Sequence, residues 1–227
     1  MGHVIAIDGP AGAGKSTIAR LVAEKLGYIY IDTGAMYRAV ALWATQTATP
    51  FSDVYKLEQL ALSANIELLP HSRVLLNGED VTEAIRAPEI SGLASQVAAI
   101  GGVRSALVAK QRLIAENASV VMEGRDIGSV VFPDARVKIF LDADPAERVR
   151  RRAGELPGEQ AEMLAAQLTE RDQRDRNRSE SPLLQAPDAT YLDSTGMTPE
   201  QVQEAILKLV RARLSNGKAD HTTERES

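Results

Sequence analysis

The residues of this chain best suited to chemistry lie near its start, at positions 9–16. They read GPAGAGKS and fit the pattern G-x-x-x-x-G-K-[ST] without a gap. Glycines let the backbone curl so that successive N–H groups point into one hollow and hold phosphate oxygens. Lys15 then reaches the β- and γ-phosphates, and the Ser16 hydroxyl joins the shell of a Mg²⁺ ion. The pattern predicts a nucleoside triphosphate site formed by Gly9, Pro10, Ala11, Gly12, Ala13, Gly14, Lys15, Ser16 and Thr17.

The segments on both sides of this run have the pattern that such a site requires. Residues 3–8 are typical of a short buried strand, and apolar residues recur at helical spacing over 15–26. A helix that begins under the phosphates presents its partial positive charge to them. A chance glycine turn is the alternative, but it does not explain a strand before the loop and a helix after it.

Composition limits the remaining possibilities. The chain has 227 residues, of which 44% are hydrophobic, enough for one domain with small insertions. Its net charge of −5 argues against wrapping nucleic acid, so no nucleic-acid partner is expected. The absence of cysteine excludes disulfides, thiolate catalysis and cysteine-bound zinc. With no signal-peptide pattern and no apolar run of about 18 residues, we expect a cytoplasmic protein without a membrane partner. We also expect it to be a monomer.

Short apolar runs alternate with helical stretches, which is the pattern of an α/β fold with a parallel sheet. The predicted strands are 3–8, 28–32, 119–123, 137–142 and 190–193, and the predicted helices are 15–26, 34–46, 103–116, 144–154 and 199–214. The last helix has a complete start signal, with Thr198 as cap, Pro199 next and Gln201 closing a capping box. Ligands of such sheets bind at the carboxyl ends of the strands.

Two segments interrupt the alternation. Residues 65–90 contain two apolar runs and the turn signal Asn77-Gly78, and they predict a small antiparallel insert. Residues 155–181 are polar, rich in arginine and helical in character, so we expect this segment and the insert to be mobile parts. Residues from 216 onward lack an apolar anchor and predict a disordered tail.

Two further strand ends carry residues that are able to bind an anion. The run 32–38 reads DTGAMYR, with Arg38 one turn into a helix, and a capped helix with a surface arginine is the alternative. The run 123–128 reads EGRDIG, in which Arg125 is suited to grip a phosphate and Asp126 to accept from an amino group or a ribose. An ordinary turn with an ion pair is the alternative there.

The segment 148–178 holds eight arginines and no lysine. A solvated helix with i,i+4 ion pairs would also explain this composition. Three pairs have that spacing: Glu147–Arg151, Glu170–Arg174 and Asp172–Arg176. Arginine in place of lysine favours a bidentate grip on phosphates. The three histidines form no catalytic cluster, which fits an acceptor that is itself ionised and needs only positioning and charge neutralisation.

Taken together, these residues resemble the bacterial cytidylate kinases, a family of nucleoside monophosphate (NMP) kinases. The resemblance runs from about residue 4 to about residue 210. The matching segments are 7–16, 32–38, 94–97, 103–104, 124–128, 131–135, 138–143, 170–175, 177–178, 181–183 and 192–195. The phosphate loop is common to many families, whereas GRDIG, FPDA and ERD followed by SPL, in this order, are specific.

This resemblance implies transfer of the γ-phosphoryl group of ATP to CMP or dCMP, with Mg²⁺, to give CDP or dCDP and ADP. It implies a three-layer α/β P-loop kinase fold with a parallel central sheet, a small NMP-binding insert and a helical lid. The kinase domain would cover 1–215, with the core at 1–63, 98–151 and 179–215, the insert at 64–97, the lid at 152–178, and a disordered tail at 216–227.

The resemblance also implies roles for single residues. Those that match the base-binding positions are Ser95, Arg104 and Asp126. Those that match the acceptor-phosphate positions are Thr33, Arg38, Arg125 and Arg178, and those that face the sugar are Arg171 and Asp175. The residues expected to act in the transfer are Lys15, Arg125, Arg151, Arg152 and Arg178, with Ser16 as the expected Mg²⁺ ligand.

Three positions depart from the family pattern. Glu123 stands where the family often has aspartate, which keeps an acid near the expected metal. Thr33 replaces a serine of some members and keeps the hydroxyl. Residues 101–102 are both glycine where a proline is common, which we expect to loosen the start of the helix that bears Arg104.

Other classes of function fit the sequence less well. A GTP-binding switch needs an N-K-x-D guanine reader, which the sequence lacks. An ATP-dependent RNA-binding module is disfavoured by the acidic net charge and by an aromatic content of only 4%. A kinase for another nucleotide, such as UMP or AMP, is the remaining alternative.

Overall fold

A computed structural model gives the structure of residues 2–155, 160–178 and 180–215. The expected tail at 216–227 and residues 156–159 of the expected lid lie outside the described residues. Within these limits the chain forms one five-stranded and one three-stranded sheet. The strands are β1 (Val4–Asp8), β2 (Ile29–Asp32), β3 (Ile66–Leu69), β4 (Arg73–Leu76), β5 (Glu79–Asp80), β6 (Val120–Gly124), β7 (Val137–Asp142) and β8 (Thr190–Asp193).

The larger sheet is parallel throughout, with the strand order β2-β6-β1-β7-β8. Strand β1 lies at its centre, so that Asp8 sits opposite Gly124 of β6 and Phe140 of β7. On the other side of β6, Asp32 of β2 sits opposite Glu123. The loops that follow β1, β2 and β6 therefore meet at one edge of the sheet. The predicted α/β fold is confirmed, and each of the five predicted strands lies within one residue of its expected bounds.

Helices cover both faces of this sheet. In the part of the chain that the structure describes they are α1 (Lys15–Leu26), α2 (Thr33–Gln46), α3 (Val54–Ser63), α4 (Pro88–Val97), α5 (Gly101–Ala115), α6 (Pro145–Glu155), α7 (Ala161–Arg176) and α8 (Pro199–Ser215). Ile5 and Ile7 of β1 pack with α1 and α8, whereas Ala6 packs on the opposite side with α5, which gives three layers. Among the described residues no single helix is long and apolar enough to cross a membrane, although the bent pair α4 and α5 meets both criteria together.

The start of α8 contains the predicted capping box. The Thr198 amide donates to the Gln201 side-chain oxygen at 2.9 Å, and the Gln201 amide donates to the Thr198 hydroxyl at 3.3 Å. Two otherwise unpaired amides at the helix start are thus satisfied by each other's side chains. The local sequence signal therefore set this boundary correctly.

The predicted antiparallel insert is formed by β3, β4 and β5. Ile66 pairs with Leu76, and the turn after β4 places Asn77 and Gly78 at φ values of 52° and 87°. Both are left-handed conformations, which asparagine and glycine adopt more easily than other residues. The turn chemistry of the sequence thus predicted the hairpin.

Helices α3 and α4, which come before and after the three strands of the insert, were not predicted. In α3 only Leu57 and Ala61 are buried, so the apolar stripe is too narrow to stand out from the sequence. The contact of α3 with α5 and α2 stabilises it instead. Tertiary packing rather than local pattern therefore explains this helix.

Replacing Leu57 with alanine should lower the free energy of unfolding by about 2–5 kcal/mol, because its side chain is fully buried among α2, α5 and the insert. Leu62→Ala on the same helix is the matched control, since that side chain is 57% exposed. The control should change the free energy by less than about 0.5 kcal/mol. Urea unfolding measures both, and equal losses would contradict this packing of α3.

Candidate active site

The loops after β1, β2 and β6 line a cavity of about 180 Å³ at the carboxyl edge of the parallel sheet. Residues of α4, α5, α6 and α7 also line it. The predicted site residues that line this cavity are Ala11, Gly12, Gly14, Lys15, Ser16, Thr17, Thr33, Arg38, Ser95, Arg104, Arg125, Asp126, Arg152, Arg171, Asp175 and Arg178. The predicted residues outside its lining are Gly9, Pro10, Ala13 and Arg151. Segments far apart in the chain thus meet in one small space.

The backbone of the phosphate loop has the curled form that its glycines predict. Gly9, Gly12 and Gly14 have φ values of 151°, 76° and 90°. A Cβ atom on Gly9 would lie 1.9 Å from the Leu141 carbonyl oxygen, so a larger residue cannot fit there. Gly14 is the N-cap of α1 and lines the cavity, so the positive end of the helix faces the expected phosphates.

The Lys15 side chain is buried beside the loop, where Nζ donates to the Pro10 carbonyl oxygen at 2.6 Å. Burial, together with the positive charge of Arg125, lowers the pKa of Lys15 to about 7, although Glu123 opposes the shift. A bound polyphosphate would favour the charged form of this lysine. The surroundings of Lys15 are therefore suited to an anion.

Arg151 of α6 supports the phosphate loop from behind. It donates to the Ala13 carbonyl oxygen at 3.1 Å and to the Ser194 carbonyl oxygen at 2.7 Å. Glu147 pairs with it at 2.8 Å, as the i,i+4 spacing predicts. Its expected contact with substrate phosphates stays a prediction, whereas Arg152, the next residue, lines the cavity.

A buried carboxylate on α7 joins the expected lid to the phosphate loop. Asp172 accepts the Ala11 amide at 3.1 Å and pairs with Arg148. Arg148 also donates to the Ala11 carbonyl oxygen at 3.1 Å. The spacing of Asp172 and Arg176 predicted a pair on a solvated face, but Asp172 points inward to the loop instead. The wholly solvated alternative for this helix is therefore wrong at this residue.

A second carboxylate on α7, that of Asp175, holds residues predicted to bind the acceptor. It accepts from Arg125 Nε at 2.9 Å and from the Ser95 hydroxyl at 3.3 Å, and it lies 3.7 Å from Arg178. Burial acts to raise the pKa of Asp175, but Arg125 and Arg178 outweigh it and hold the pKa below its usual value. Burial and the charge of Arg125 lower the pKa of Arg171 to about 10. Positive charge is thus in excess here.

The predicted base-binding residues Arg104 and Asp126 form a buried ion pair. Arg104 also donates to the Ala98 carbonyl oxygen at 3.3 Å, and its guanidinium lies 5.8 Å from the ring centre of Tyr37. Its Nε atom is buried with no hydrogen-bond partner within the described ranges. The ion pair that was considered as the alternative to a binding site at Asp126 is present. It nevertheless lines the cavity, and Arg104 Nε is still able to donate a hydrogen bond.

At the start of α2 the structure contains a helix cap. A capped helix was the alternative considered for residues 32–38 in place of an anion site. Asp32 accepts the Ala35 amide at 3.0 Å and pairs with Arg38 at 2.7 Å. Arg38 nevertheless lines the cavity rather than the outer surface. Thr33 donates its hydroxyl to the Glu123 carbonyl oxygen at 2.7 Å, which ties α2 to the end of β6.

Oxygen ligands of the kind that Mg²⁺ prefers meet beside the phosphate loop. The Ser16 hydroxyl and the carboxylates of Asp32 and Glu123 line the cavity together. The Tyr30 hydroxyl donates to Glu123 at 2.5 Å, and burial raises the pKa of that carboxyl. Across the described part of the chain no three His, Asp or Glu side chains form a metal cluster. The oxygen set fits a Mg²⁺ ion held mainly by phosphates and water.

Sequence reasoning missed Asp8, the last residue of β1. Its buried carboxylate accepts the amides of Ile127 and Gly128, each at 2.8 Å. Burial raises its pKa to about 6, although both amides oppose the shift. An acid directly before the first glycine was its only signal. Other residues that contact site residues without having been predicted are Tyr30, Tyr37, Arg148 and Asp172.

Comparison with known proteins agrees with this geometry. A family model described as cytidylate kinase matches residues 5–212. The chain is 61% identical over 221 residues to a cytidylate kinase of Solibacter usitatus, which covers 95% of each chain. It is 51% identical over 212 residues to a cytidylate kinase of Desulforamulus reducens, with 91% of this chain and 96% of the relative covered.

Similarity to one solved structure supports the fold but carries no information about function. It is an uncharacterized protein from Eubacterium ventriosum, with a TM-score of 0.54 and 13% sequence identity. The alignment covers 93% of this chain and 99% of that one. At this identity the likeness concerns the arrangement of strands and helices and says nothing about the substrate.

The contribution of Asp8 to stability should depend on pH. Because its pKa is raised from 3.8 to about 6 in the folded protein, this contribution is full below 3.8 and is lost as the pH rises through 6. The free energy of unfolding of the unmodified protein, relative to Asp8→Asn, should therefore increase as the pH is lowered from about 8 to about 5. Urea unfolding at each pH measures the difference.

Asp53→Asn is the control for this pH dependence. Asp53 caps α3 at the surface, and the hydrogen bond from the Lys56 amide holds its pKa below 3.8. Its contribution is present throughout that pH range, so the difference should stay constant. A difference for Asp8 that is flat, or that decreases toward low pH, would contradict the burial of an ionisable carboxyl at this position.

Proposed function

The chain belongs to the cytidylate kinase family, and from this premise we propose that its cavity transfers the γ-phosphoryl group of ATP to CMP or dCMP. The products are CDP or dCDP and ADP. The observation that carries the proposal is the meeting of a phosphate loop and a set of arginines in one cavity. One side suits a triphosphate donor, and the other suits an acceptor that already has a phosphate.

An acceptor of this kind needs no general base. Within the described ranges, no histidine lines the cavity. Its carboxylates are each engaged by another side chain, namely Asp32 by Arg38, Glu123 by Tyr30, Asp126 by Arg104 and Asp175 by Arg125. The phosphate oxygen of a nucleoside monophosphate is ionised at neutral pH, so it attacks the γ-phosphorus without losing a proton to the protein. Positioning and charge neutralisation then make up the catalysis.

On the donor side, the amides of the phosphate loop and Lys15 hold the β- and γ-phosphates of ATP. The helix N-terminus at Gly14 adds its partial positive charge. A Mg²⁺ ion would be held by Ser16, with Asp32 and Glu123 close enough to bind its waters, and it would neutralise charge on the phosphates. These residues of the chain hold the donor phosphates in a position that faces the acceptor.

On the acceptor side, Arg38, Arg125 and Arg178 bind the phosphate of CMP, with Thr33 beside them. In the structure Arg125 and Arg178 contact Asp175. We expect the CMP phosphate to take over part of this role from Asp175. The Asp175 carboxylate is then free to accept a hydrogen bond from the sugar, while Arg171 donates one to it. The exchange leaves Arg125, Arg178 and Asp175 each with a hydrogen-bond partner before and after binding.

The base is recognised by Ser95, Arg104 and Asp126. Cytosine offers an amino donor at N4 and acceptors at N3 and O2. The Asp126 carboxylate accepts from N4, while Arg104 and Ser95 donate to N3 and O2. Uracil reverses the polarity at two of these positions and would leave buried groups unpaired, at a cost of about 1–3 kcal/mol each.

Closure of the lid would complete the site. Arg151 and Arg152 lie at the root of the lid, and we propose that both reach the transferring phosphates when it closes. Arg151 would then exchange its contacts with Ala13 and Ser194 for phosphate oxygens. Exclusion of water from the closed cavity suppresses hydrolysis of ATP. We further propose a cytoplasmic monomer that has no nucleic-acid or membrane partner.

Arg104→Ala tests the base-binding role directly. The unmodified protein should prefer CMP and dCMP to UMP and AMP by at least about tenfold in kcat/KM. The variant should raise KM for CMP by at least about tenfold, because it removes a donor to the base and leaves Asp126 buried without its partner. KM for ATP should stay within about twofold. Steady-state kinetics with all four monophosphates measures these changes.

Arg211→Ala is the matched control, since Arg211 is an exposed arginine on α8 that is not part of the cavity lining. It should leave all four substrates unaffected. Equal turnover of UMP and CMP by the unmodified protein would refute cytosine recognition and leave the kinase activity intact. A parallel rise of KM for ATP and CMP in Arg104→Ala would refute its place at the base.

A further inference from the structure

One carboxylate connects the strand before the phosphate loop with the turn that carries the base-binding acid. Asp8 precedes the first glycine of the loop, and both of its oxygens are used, one by the Ile127 amide and one by the Gly128 amide. These amides follow directly after Asp126 in the chain. The two sides of the active site are therefore joined by a single side chain.

The two amides have few other possible partners. They belong to the first residues of a short helical turn, Ile127–Val131, whose N-terminal amides have no acceptors within the turn itself. Asp8 supplies acceptors to them from a neighbouring strand, in the way that a capping residue does. Because Asp8, Ile127 and Gly128 are all buried, water cannot replace these contacts.

At position 128 the turn lies against both Lys138 of β7 and Asp8. A Cβ atom there would lie 3.1 Å from Lys138 Cδ and 3.4 Å from Asp8 Oδ2. An alanine at this position would therefore crowd the Lys138 side chain and come into contact with Asp8. The turn is thus packed against Asp8 as well as hydrogen-bonded to it.

Asp8 is not explained by the other roles open to a buried acid. Lys15, the nearest cation of the loop, donates to the Pro10 carbonyl oxygen rather than to Asp8. The negative charge of Asp126 repels Asp8. Electrostatic attraction therefore does not explain why these two acids lie near each other. Asp8 instead accepts hydrogen bonds from two neutral amides. These bonds fix the position of the backbone next to Asp126.

We propose that Asp8 is a positioning residue that aims Asp126, and with it Arg125, at the acceptor nucleotide. The inference rests on the proposed function, because it assumes that Asp126 accepts from the base. Discrimination between cytosine and uracil then depends on Asp8, although this acid contacts neither the donor nor the acceptor nucleotide. The hydrogen bonds of Asp8 therefore couple β1, the strand before the phosphate loop, to the selection of the base.

Two variants that disturb the contact from opposite sides test this. Asp8→Asn keeps one acceptor oxygen but turns an NH₂ group toward the second amide, so one hydrogen bond is lost. Gly128→Ala leaves Asp8 intact and crowds the turn against Lys138. We expect the ratio of kcat/KM for CMP to that for UMP to fall about tenfold in Asp8→Asn and severalfold in Gly128→Ala. KM for ATP should stay within about twofold in both.

The controls are matched by residue type. Asp53→Asn removes a carboxylate that also accepts a backbone amide, but at the start of α3. Gly92→Ala adds a Cβ atom to a helix where no atom lies within 4 Å. Both should keep the selectivity ratio of the unmodified protein. Thermal unfolding of all four variants identifies any loss of folding, and Gly128→Ala decides the matter if Asp8→Asn does not fold.

A merely structural role for Asp8 would lower kcat/KM for CMP and UMP by the same factor. That outcome, in Asp8→Asn or in a folded Gly128→Ala, would overturn the inference. If the unmodified protein shows no preference for CMP over UMP, the base-binding roles proposed above fail and this inference fails with them. A preference in the unmodified protein that survives in either folded variant overturns this inference and leaves the proposed function intact.

Discussion

Positive charge gathered in a buried cavity is the constraint on which the rest of this structure depends. Burial and the charges of neighbouring arginines lower the pKa values of Lys15 and Arg171. Asp175 supplies counter-charge to Arg125 and Arg178 and is itself held in the charged form by them. The cavity lining holds four carboxylates against one lysine and six arginines, so positive charge is left over in a low dielectric and the cavity favours ligands that bring several negative charges. A triphosphate and a monophosphate together meet that need.

Acids elsewhere in the site have a different role, because they bind backbone amides of the loops, and only Asp172 also pairs with a cation, Arg148. Asp8 holds the turn after Asp126, and Asp172 holds the amide of Ala11 in the phosphate loop. A neutral amide partner fixes the position of a loop with less effect on the positive charge of the cavity than pairing another arginine would have. The parallel sheet makes this possible, since it brings the ends of β1 and β6 side by side.

Local signals in the sequence predicted much of this arrangement. The glycine pattern gave the phosphate loop, the apolar runs gave all five parallel strands, and Thr198 with Gln201 gave the start of α8. The partners of the acids could not be predicted in the same way. Asp172 has the spacing for a pair with Arg176 on its own helix, yet it binds Ala11, 161 residues away in the chain. Such contacts depend on how the chain folds back on itself, which local spacing does not record.

The most direct test of this account compares CMP with cytidine as the acceptor of the phosphoryl group from ATP. The two share the base and the sugar and differ in the phosphate that the arginines are expected to bind. We predict that cytidine is phosphorylated at least about a thousandfold less efficiently in kcat/KM, because it lacks both the charge and an ionised attacking oxygen. Comparable efficiency with cytidine would contradict the central claim that the cavity is built for an acceptor that is already an anion.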